Sequence, residues 1–382
     1  MSHYLDNAAT TAIRPAALEA MVPLLSETYG NPSGAHRMAR EANRVLDDAR
    51  ETMAGVLGAE PGQIVFTAGG TEAYNLAVTG VLEAAGGVAV CSAIEHHAVL
   101  DPVQHHRGRV VAVDGAGRLD LEALEAALDP EVSLVSVMVA NNETGVIQPI
   151  REVAALVRRL APDALLHTDA VQALCWIDLA EITAEVDLLS ISAHKFGGPK
   201  GVGALVVGQR ATVSALLKGG GQERGRRGGT HNVPGIAAMA VAAAETMAER
   251  PIQVPRVASL RDRLADGIRA ELDGVVESGV VESGRGVDRS GKTANICHLC
   301  FEGIESEALL FLLEKQDIMA SAASSCSSGA MEPSHVLAAM GYNRGLAFGS
   351  LRLSLGYSST DADVDAALAT VPAAVRRLRD RG

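Results

Sequence analysis

The 382-residue chain is 48% hydrophobic and 21% charged, enough apolar mass for a sizeable core and more than one domain. Its 33 basic and 46 acidic residues leave a formal charge of −13 without long single-sign blocks, which disfavours direct binding to nucleic acid or an anionic membrane. The opening MSHYLDNAATT has no basic stretch before an apolar core, and no later run approaches the roughly 18 apolar residues of a membrane span, so a soluble cytoplasmic protein is expected.

The segment Tyr4 to Thr11 is too brief to be a domain and is expected to lie across another element. Ala17, Leu18, Met21, Leu24 and Leu25 recur at helical spacing and predict a helix from Pro15 to Leu25, ended by the Gly30-Asn31-Pro32-Ser33-Gly34 cluster. Ala39 to Leu57 reads as a charged helix stopped by Gly58. The strand Gln63 to Thr67 is then turned by Gly69-Gly70-Thr71-Glu72 into a helix reaching about Ala85. From there strands at 88–92, 110–113, 134–139, 165–168, 188–191 and 203–207 alternate with helices near Leu100, over 121–128 and over 150–160. That alternation implies an α/β fold with a mainly parallel sheet covered on both faces, whose chemistry sits at the carboxyl ends of the strands.

A glycine- and arginine-rich stretch, Gly219 to Asn232, precedes an alanine-rich helix over 235–250, and Pro251 and Pro255 are expected to mark a joint between domains. Beyond it come an amphipathic helix, a Gly- and Ser-rich segment (278–291), an apolar strand around 293–301, a helix over 306–316 and a run of small residues from 320 to 329. No internal repeat is evident.

Lys195 stands out, at the end of an apolar run and the start of a glycine-rich turn in DLLSISAHKFGGPKGVG (187–203). An isolated loop lysine is ordinarily a solvated charge, but one held where its amine can lose a proton can act as a covalent catalyst. Here it is read as the Schiff-base lysine of pyridoxal phosphate. Gly69-Gly70-Thr71, between a strand and a helix, suits a phosphate, or is simply a tight connection. Asp169, at the end of another strand, suits a protonated pyridine nitrogen, or caps a helix. His96, in Glu95-His96-His97, suits a ring that stacks on a cofactor and moves protons, whereas adjacent histidines make a poor metal site and no metal is expected.

The five cysteines are too few and too sparse for a disulfide framework and are expected to be reduced. Cys326 lies among serines, alanines and a glycine, a composition that points to a loop and a reactive thiol. Cys297 and Cys300 fall in an apolar strand where residues three apart face opposite sides, and read as core.

In this order the motifs resemble the pyridoxal-phosphate-dependent cysteine desulfurases of the fold-type I, class V aminotransferase superfamily. YLDNAATT (4–11), GNPSGAH (30–36), FTAGGTEAYNLA (66–77), EHHAVL (95–100), NNETG (141–145), HTDAVQ (167–172), SAHKFGGPKGVGAL (192–205), GGGQERGRRGGT (219–230) and EPSHVL (332–337) all look like family blocks. The resemblance implies a large cofactor-binding domain over 15–255, with a mainly parallel seven-stranded sheet, and a smaller α+β domain from 1–14 and 256–382.

The resemblance also implies that Lys195 carries the cofactor, Asp169 pairs with its pyridine nitrogen, His96 stacks on its ring, and Gln172 bonds its phenolic oxygen. Gly70, Thr71, Ser192 and His194 would cradle the phosphate, joined by Thr230 from the other subunit of a homodimer. Asn142 and Arg352 would hold the carboxylate of L-cysteine, a task suited to a guanidinium fork. Cys326 matches the persulfide-forming cysteine on the longer loop of the family's first group, which passes sulfur to acceptor proteins for iron–sulfur assembly and tRNA thiolation. Two departures stand out: Ala323 replaces a usual glycine before the cysteine, and Gly228 replaces a common serine, with the loss of its hydroxyl.

The implied reaction has Lys195 removing the Cα proton with help from His96, and Cys326 taking the substrate sulfur. A selenocysteine lyase or an aminotransferase would keep the cofactor and change the substrate, and transamination would not need Cys326. A sulfur-carrier scaffold without catalysis is the reading of another class, disfavoured by Lys195, Asp169, His96 and Arg352 together.

Overall fold

A computed structural model describes residues 2–284, 286–322 and 333–380. After a two-residue strand near the N terminus, β1 (His3–Tyr4), seven strands form the central sheet: β2 (Ile64–Thr67), β3 (Val88–Ser92), β4 (Arg109–Val111), β5 (Val132–Ser136), β6 (Leu165–Asp169), β7 (Leu188–Ser192) and β8 (Gly203–Val207). Their order is β2-β8-β7-β6-β5-β3-β4. Every pairing from β7 to β4 is parallel, whereas β8 runs antiparallel to both β7 and β2.

Most of the strands are rich in apolar residues because both faces of the sheet are covered, although β5, β6 and β7 also carry buried polar side chains (Ser136, His167, Thr168, Ser190) and the edge strand β4 leaves Val110 exposed. Alternate residues enter opposite cores. Ile64, Phe66, Val90, Leu166, Leu189 and Val206 join one cluster, with side chains from the helices Arg37–Leu57 and Ile150–Leu160. Val65, Cys91, Leu134, Leu165, Leu188 and Leu205 join the other, with the helices Gly70–Ala85 and His97–His105. Cutting fully buried Leu189 back to alanine would cost about 2–5 kcal/mol. The helix Arg37–Leu57 stops where expected, at Gly58, whose φ of 65° is a left-handed cap that favours glycine.

The chain does not break at Pro251 and Pro255, where the joint between domains is expected. One 39-residue helix, Val233–Glu271, runs through both prolines. Each proline removes a backbone donor and crowds the preceding turn, but burial on two sides outweighs this. Ile236, Ala238 and Met239 pack into the core of the central sheet, and Val257, Leu260 and Leu264 into a second core.

That second core is built on an antiparallel sheet of β9 (Val275–Glu277), β12 (Ile296–Phe301) and β14 (Ser350–Ser354), in the order β14-β12-β9. A hairpin of β10 (Val281–Ser283) and β11 (Gly286–Asp288) lies within the Gly- and Ser-rich segment, and β13 (Ile318–Met319) pairs in parallel with β1. The helices Ser306–Glu314 and Asp361–Arg379 cover this core, which also takes in Leu5 from the N-terminal segment. Cys297 and Cys300 are both fully buried, in different clusters on opposite faces of β12. Among the described residues no helix is long and apolar enough to cross a membrane.

Candidate active site

The carboxyl ends of the parallel strands converge on a cleft of about 330 Å³. Its walls include Gly70, Thr71, His96, Asn142, Asp169, Gln172, Ser192, His194, Lys195 and Arg352, with Ala8 and Ala9 from the N-terminal segment. The chain therefore brings together every site residue expected from the sequence except Thr230 and Cys326. Thr230 is exposed and outside this lining. Cys326 lies outside the described residues, as does Ala323.

Lys195 follows β7 in a short turn, and its Nζ donates to the carbonyls of Ala8 (2.6 Å) and Ala9 (2.8 Å). The N-terminal segment thus does lie across another element, closing the cleft over the lysine. Burial and the nearby Arg352 guanidinium lower the Lys195 pKa to about 8, against the opposite pull of Asp169 and Asp6. Gln172 Nε2 also donates to Ala8 O, at 2.8 Å.

Asp169, the last residue of β6, accepts the N–H of Val171 at 2.8 Å and bonds the Tyr74 hydroxyl. Burial raises its pKa to about 6, opposed by those two bonds and by Lys195. His96 caps the helix His97–His105, its Nδ1 accepting the Ala98 N–H at 3.0 Å. Part of the ring is open to solvent, yet the protein packed around it, followed by the Lys195 charge, lowers its pKa to about 4. His194 Nδ1 lies 3.1 Å from Thr10 Oγ1, and burial followed by Lys195 holds its ring near 4 as well.

Arg352 of β14 is buried, donating from Nη1 to Asn142 O and from Nη2 to Asp6 Oδ1, both at 2.9 Å. Its N–H and C=O bond to Ser321, and Ser350 Oγ bonds Ala322 O. On the other side of residues 323–332, Ser334 Oγ donates to Glu143, the neighbour of Asn142. Burial raises Glu143 to about 7, opposed by Ser334 and Arg352.

These groups fit pyridoxal phosphate. Gly69, at φ 149°, precedes the helix Gly70–Ala85, and among the described residues no side chain caps that helix, so its first N–H groups and the Thr71 hydroxyl can receive a phosphate. The buried Asp169 carboxylate, held above its ordinary range, suits a cationic pyridine nitrogen, and the Lys195 amine suits an aldehyde carbon. Among the described residues no group of three or more His, Cys, Asp or Glu side chains could hold a metal ion.

Comparison with known proteins agrees with this chemistry. The family described as aminotransferase class-V matches residues 3–367. A cysteine desulfurase of Gluconacetobacter diazotrophicus is 42% identical over 386 residues, covering 99% of this chain and 94% of that protein. The chain belongs to the cysteine desulfurase family of class V aminotransferases.

Among solved structures, a NifS-like protein matches this family member with a TM-score of 0.89 at 36% identity, over 99% of this chain and all of that one. A structure titled SspA in complex with cysteine matches at 0.79 and 30% identity, over 94% of this chain and 100% of that one. The α/β architecture and desulfurase membership are thus shared along nearly the full length, and enzymes of this family depend on pyridoxal phosphate.

Several groups around the site carried no sequence signal as single residues. Asp6, Tyr74, Glu95 and Glu143 lie inside the blocks quoted above, and a buried charge in such a block is the one available hint. Glu95 is fully buried, with Oε1 on the Met138 N–H at 2.8 Å and Oε2 without a partner among the described residues, and burial holds its carboxyl far above the ordinary range. Glu223 anchors the loop that carries Thr230. Its carboxylate grips the Arg50 guanidinium with two bonds (3.0 and 2.7 Å), accepts the Phe66 N–H at 3.0 Å and lies 2.7 Å from His231 Nε2. Glu223 and Arg224 adopt left-handed φ of 49° and 57°, strain held in place by that anchor.

Proposed function

We propose that the protein removes sulfur from L-cysteine, giving L-alanine and a persulfide on Cys326 that is passed to acceptor proteins. The observation that carries this reading is the convergence of Lys195, Asp169, His96 and Arg352 on one cleft. Pyridoxal phosphate, when bound, supplies an electrophilic carbon for the substrate amine and a sink for the electrons of the Cα–H bond.

The chain's own residues do the rest. Gly70, Thr71, Ser192 and His194 hold the phosphate, Asp169 the pyridine nitrogen and Gln172 the phenolic oxygen. Arg352 and Asn142 hold the substrate carboxylate. Lys195, its pKa brought down to about 8, takes the Cα proton, and the low-pKa imidazole of His96 relays protons beside it. The Cys326 thiolate attacks the substrate sulfur, so that an S–S bond forms as the Cβ–S bond breaks. The released electron pair and two protons complete alanine, and L-cysteine plus thiol balance as alanine plus persulfide.

Support for Cys326 comes from its flanks. Ser321 and Ala322 on one side and Ser334 on the other are tied to β14 and to Glu143, beside the residues read as the carboxylate clamp. The same reading assigns residues 15–255 to cofactor binding and 1–14 with 256–382 to the part that carries the cysteine. It includes a homodimer in which Thr230 completes the partner's phosphate site, a cytoplasmic location, and acceptors that serve iron–sulfur assembly or tRNA thiolation.

The test is turnover of L-cysteine by the loaded protein beside Lys195→Ala. Alanine formation lost in the variant, together with covalent attachment of the cofactor, supports the reading. A variant that retains both sinks it.

A further inference from the structure

In the β12–β14 ladder, His298 is the direct partner of Arg352. The main-chain N–H and C=O of Arg352 bond to Ser321 on the opposite side. The His298–Arg352 pair is therefore of the non-hydrogen-bonded kind, in which side chains on one face come closest. Both side chains are buried, His298 fully and Arg352 to 4% exposure. His298 Nδ1 lies 2.6 Å from Ser278 Oγ. Among the described residues its Nε2 has no partner, and neither has the Nε of Arg352. Two unpaired buried nitrogens on facing side chains, one of them an obligatory donor, call for a common partner.

We propose that His298 is a positioning residue for Arg352: its Nε2 accepts, through one buried water, the hydrogen bond of the guanidinium Nε–H, and so fixes the plane in which Arg352 meets the carboxylate of the amino-acid substrate. This deepens, and rests on, the reading of Arg352 as the carboxylate holder.

The hydrogen-bond inventory supports the assignment. A guanidinium has five N–H groups. One on Nη1 goes to Asn142 O and one on Nη2 to Asp6 Oδ1. With Nε–H engaged by His298, one N–H remains on each terminal nitrogen, the pair that a carboxylate takes as a fork. Burial, followed by the Lys292 and Arg352 charges, lowers the His298 pKa to about 3. A neutral ring that donates Nδ1–H to Ser278 presents the Nε2 lone pair that the bridge needs.

The test measures the affinity of the loaded enzyme for L-alanine, read by cofactor absorbance, together with KM and kcat for L-cysteine. His298→Leu is expected to weaken L-alanine binding and raise KM by about five- to tenfold, with kcat changed by less than about twofold. His298→Gln, whose amide oxygen can reach the Nε2 position, should stay within about twofold of the wild type in affinity. If Arg352→Ala weakens L-alanine binding and His298→Leu does not, the positioning role is overturned. If Arg352→Ala leaves that affinity unchanged, the carboxylate reading falls and takes this inference with it. Should His298→Leu fail to fold, a crystal structure of the wild-type holoenzyme decides. Density for a water bonded to both nitrogens supports the bridge, and apolar packing between them overturns it.

Discussion

Asp6 Oδ1 accepts from Arg352 Nη2 at 2.9 Å, so a carboxylate from the N-terminal segment already occupies one side of the guanidinium proposed to receive the substrate's own carboxylate. The segment that supplies Asp6 also supplies the Ala8 and Ala9 carbonyls that hold Lys195. One short stretch of chain thus disciplines both cations of the cleft. Replacing Asp6 by Asn keeps an acceptor but removes the competing charge. KM for L-cysteine should fall by about two- to fivefold at low salt, while folding stability drops by about 1–3 kcal/mol because the buried guanidinium loses its counter-charge. Steady-state kinetics at several ionic strengths would show it, and an unchanged KM would mean that Asp6 does not compete.

Glu223 makes acid stability measurable at a single residue. Burial alone would raise its pKa, but His231, Arg50 and the Phe66 N–H outweigh this and hold it at about 2, against an ordinary value of 4.5. A carboxyl depressed in the folded state contributes stability that is full above pH 4.5 and is lost as pH falls toward 2. Glu223→Gln should therefore be less stable than the wild type by about 2–4 kcal/mol at pH 7. Denaturant midpoints should converge as both proteins are taken from pH 4.5 toward 2; a gap independent of pH would contradict the assignment.

Gly228 turns out to have a packing reason. A Cβ at that position would lie 2.5 Å from Gly219 O and 2.9 Å from Leu217 O, both backbone atoms. The serine common at this place in the family would collide with the loop as it is shaped here, so the missing hydroxyl is a consequence of the close backbone approach. Gly228→Ala should cost about 1–3 kcal/mol, read by thermal unfolding of the cofactor-free protein, and a neutral outcome would show that the loop relaxes freely.

Much of this was legible in the sequence, for physical reasons. The inner strands of the central sheet are buried on both faces, so most of them appear as short runs rich in apolar residues, and a ligand site at their carboxyl ends follows from the topology. The long helix was not legible, because Pro251 and Pro255 argue locally for a break, while burial of its two halves in different cores decides globally. Nor were β1 and β13, two residues each, which exist only because they pair with each other across the chain. The supporting charges were hidden for a related reason. Arg50 and Glu223 lie 173 residues apart, and His298 acquires a meaning only when the ladder sets it opposite Arg352.

The most direct test of the central claim is to follow alanine and sulfur released from L-cysteine, with a reductant present, by the wild type and by Cys326→Ala. Equal amounts of alanine and sulfide are expected from the wild type and little of either from the variant, with cofactor loading preserved. Full activity in Cys326→Ala would show that sulfur leaves without that thiol and would contradict persulfide transfer through Cys326.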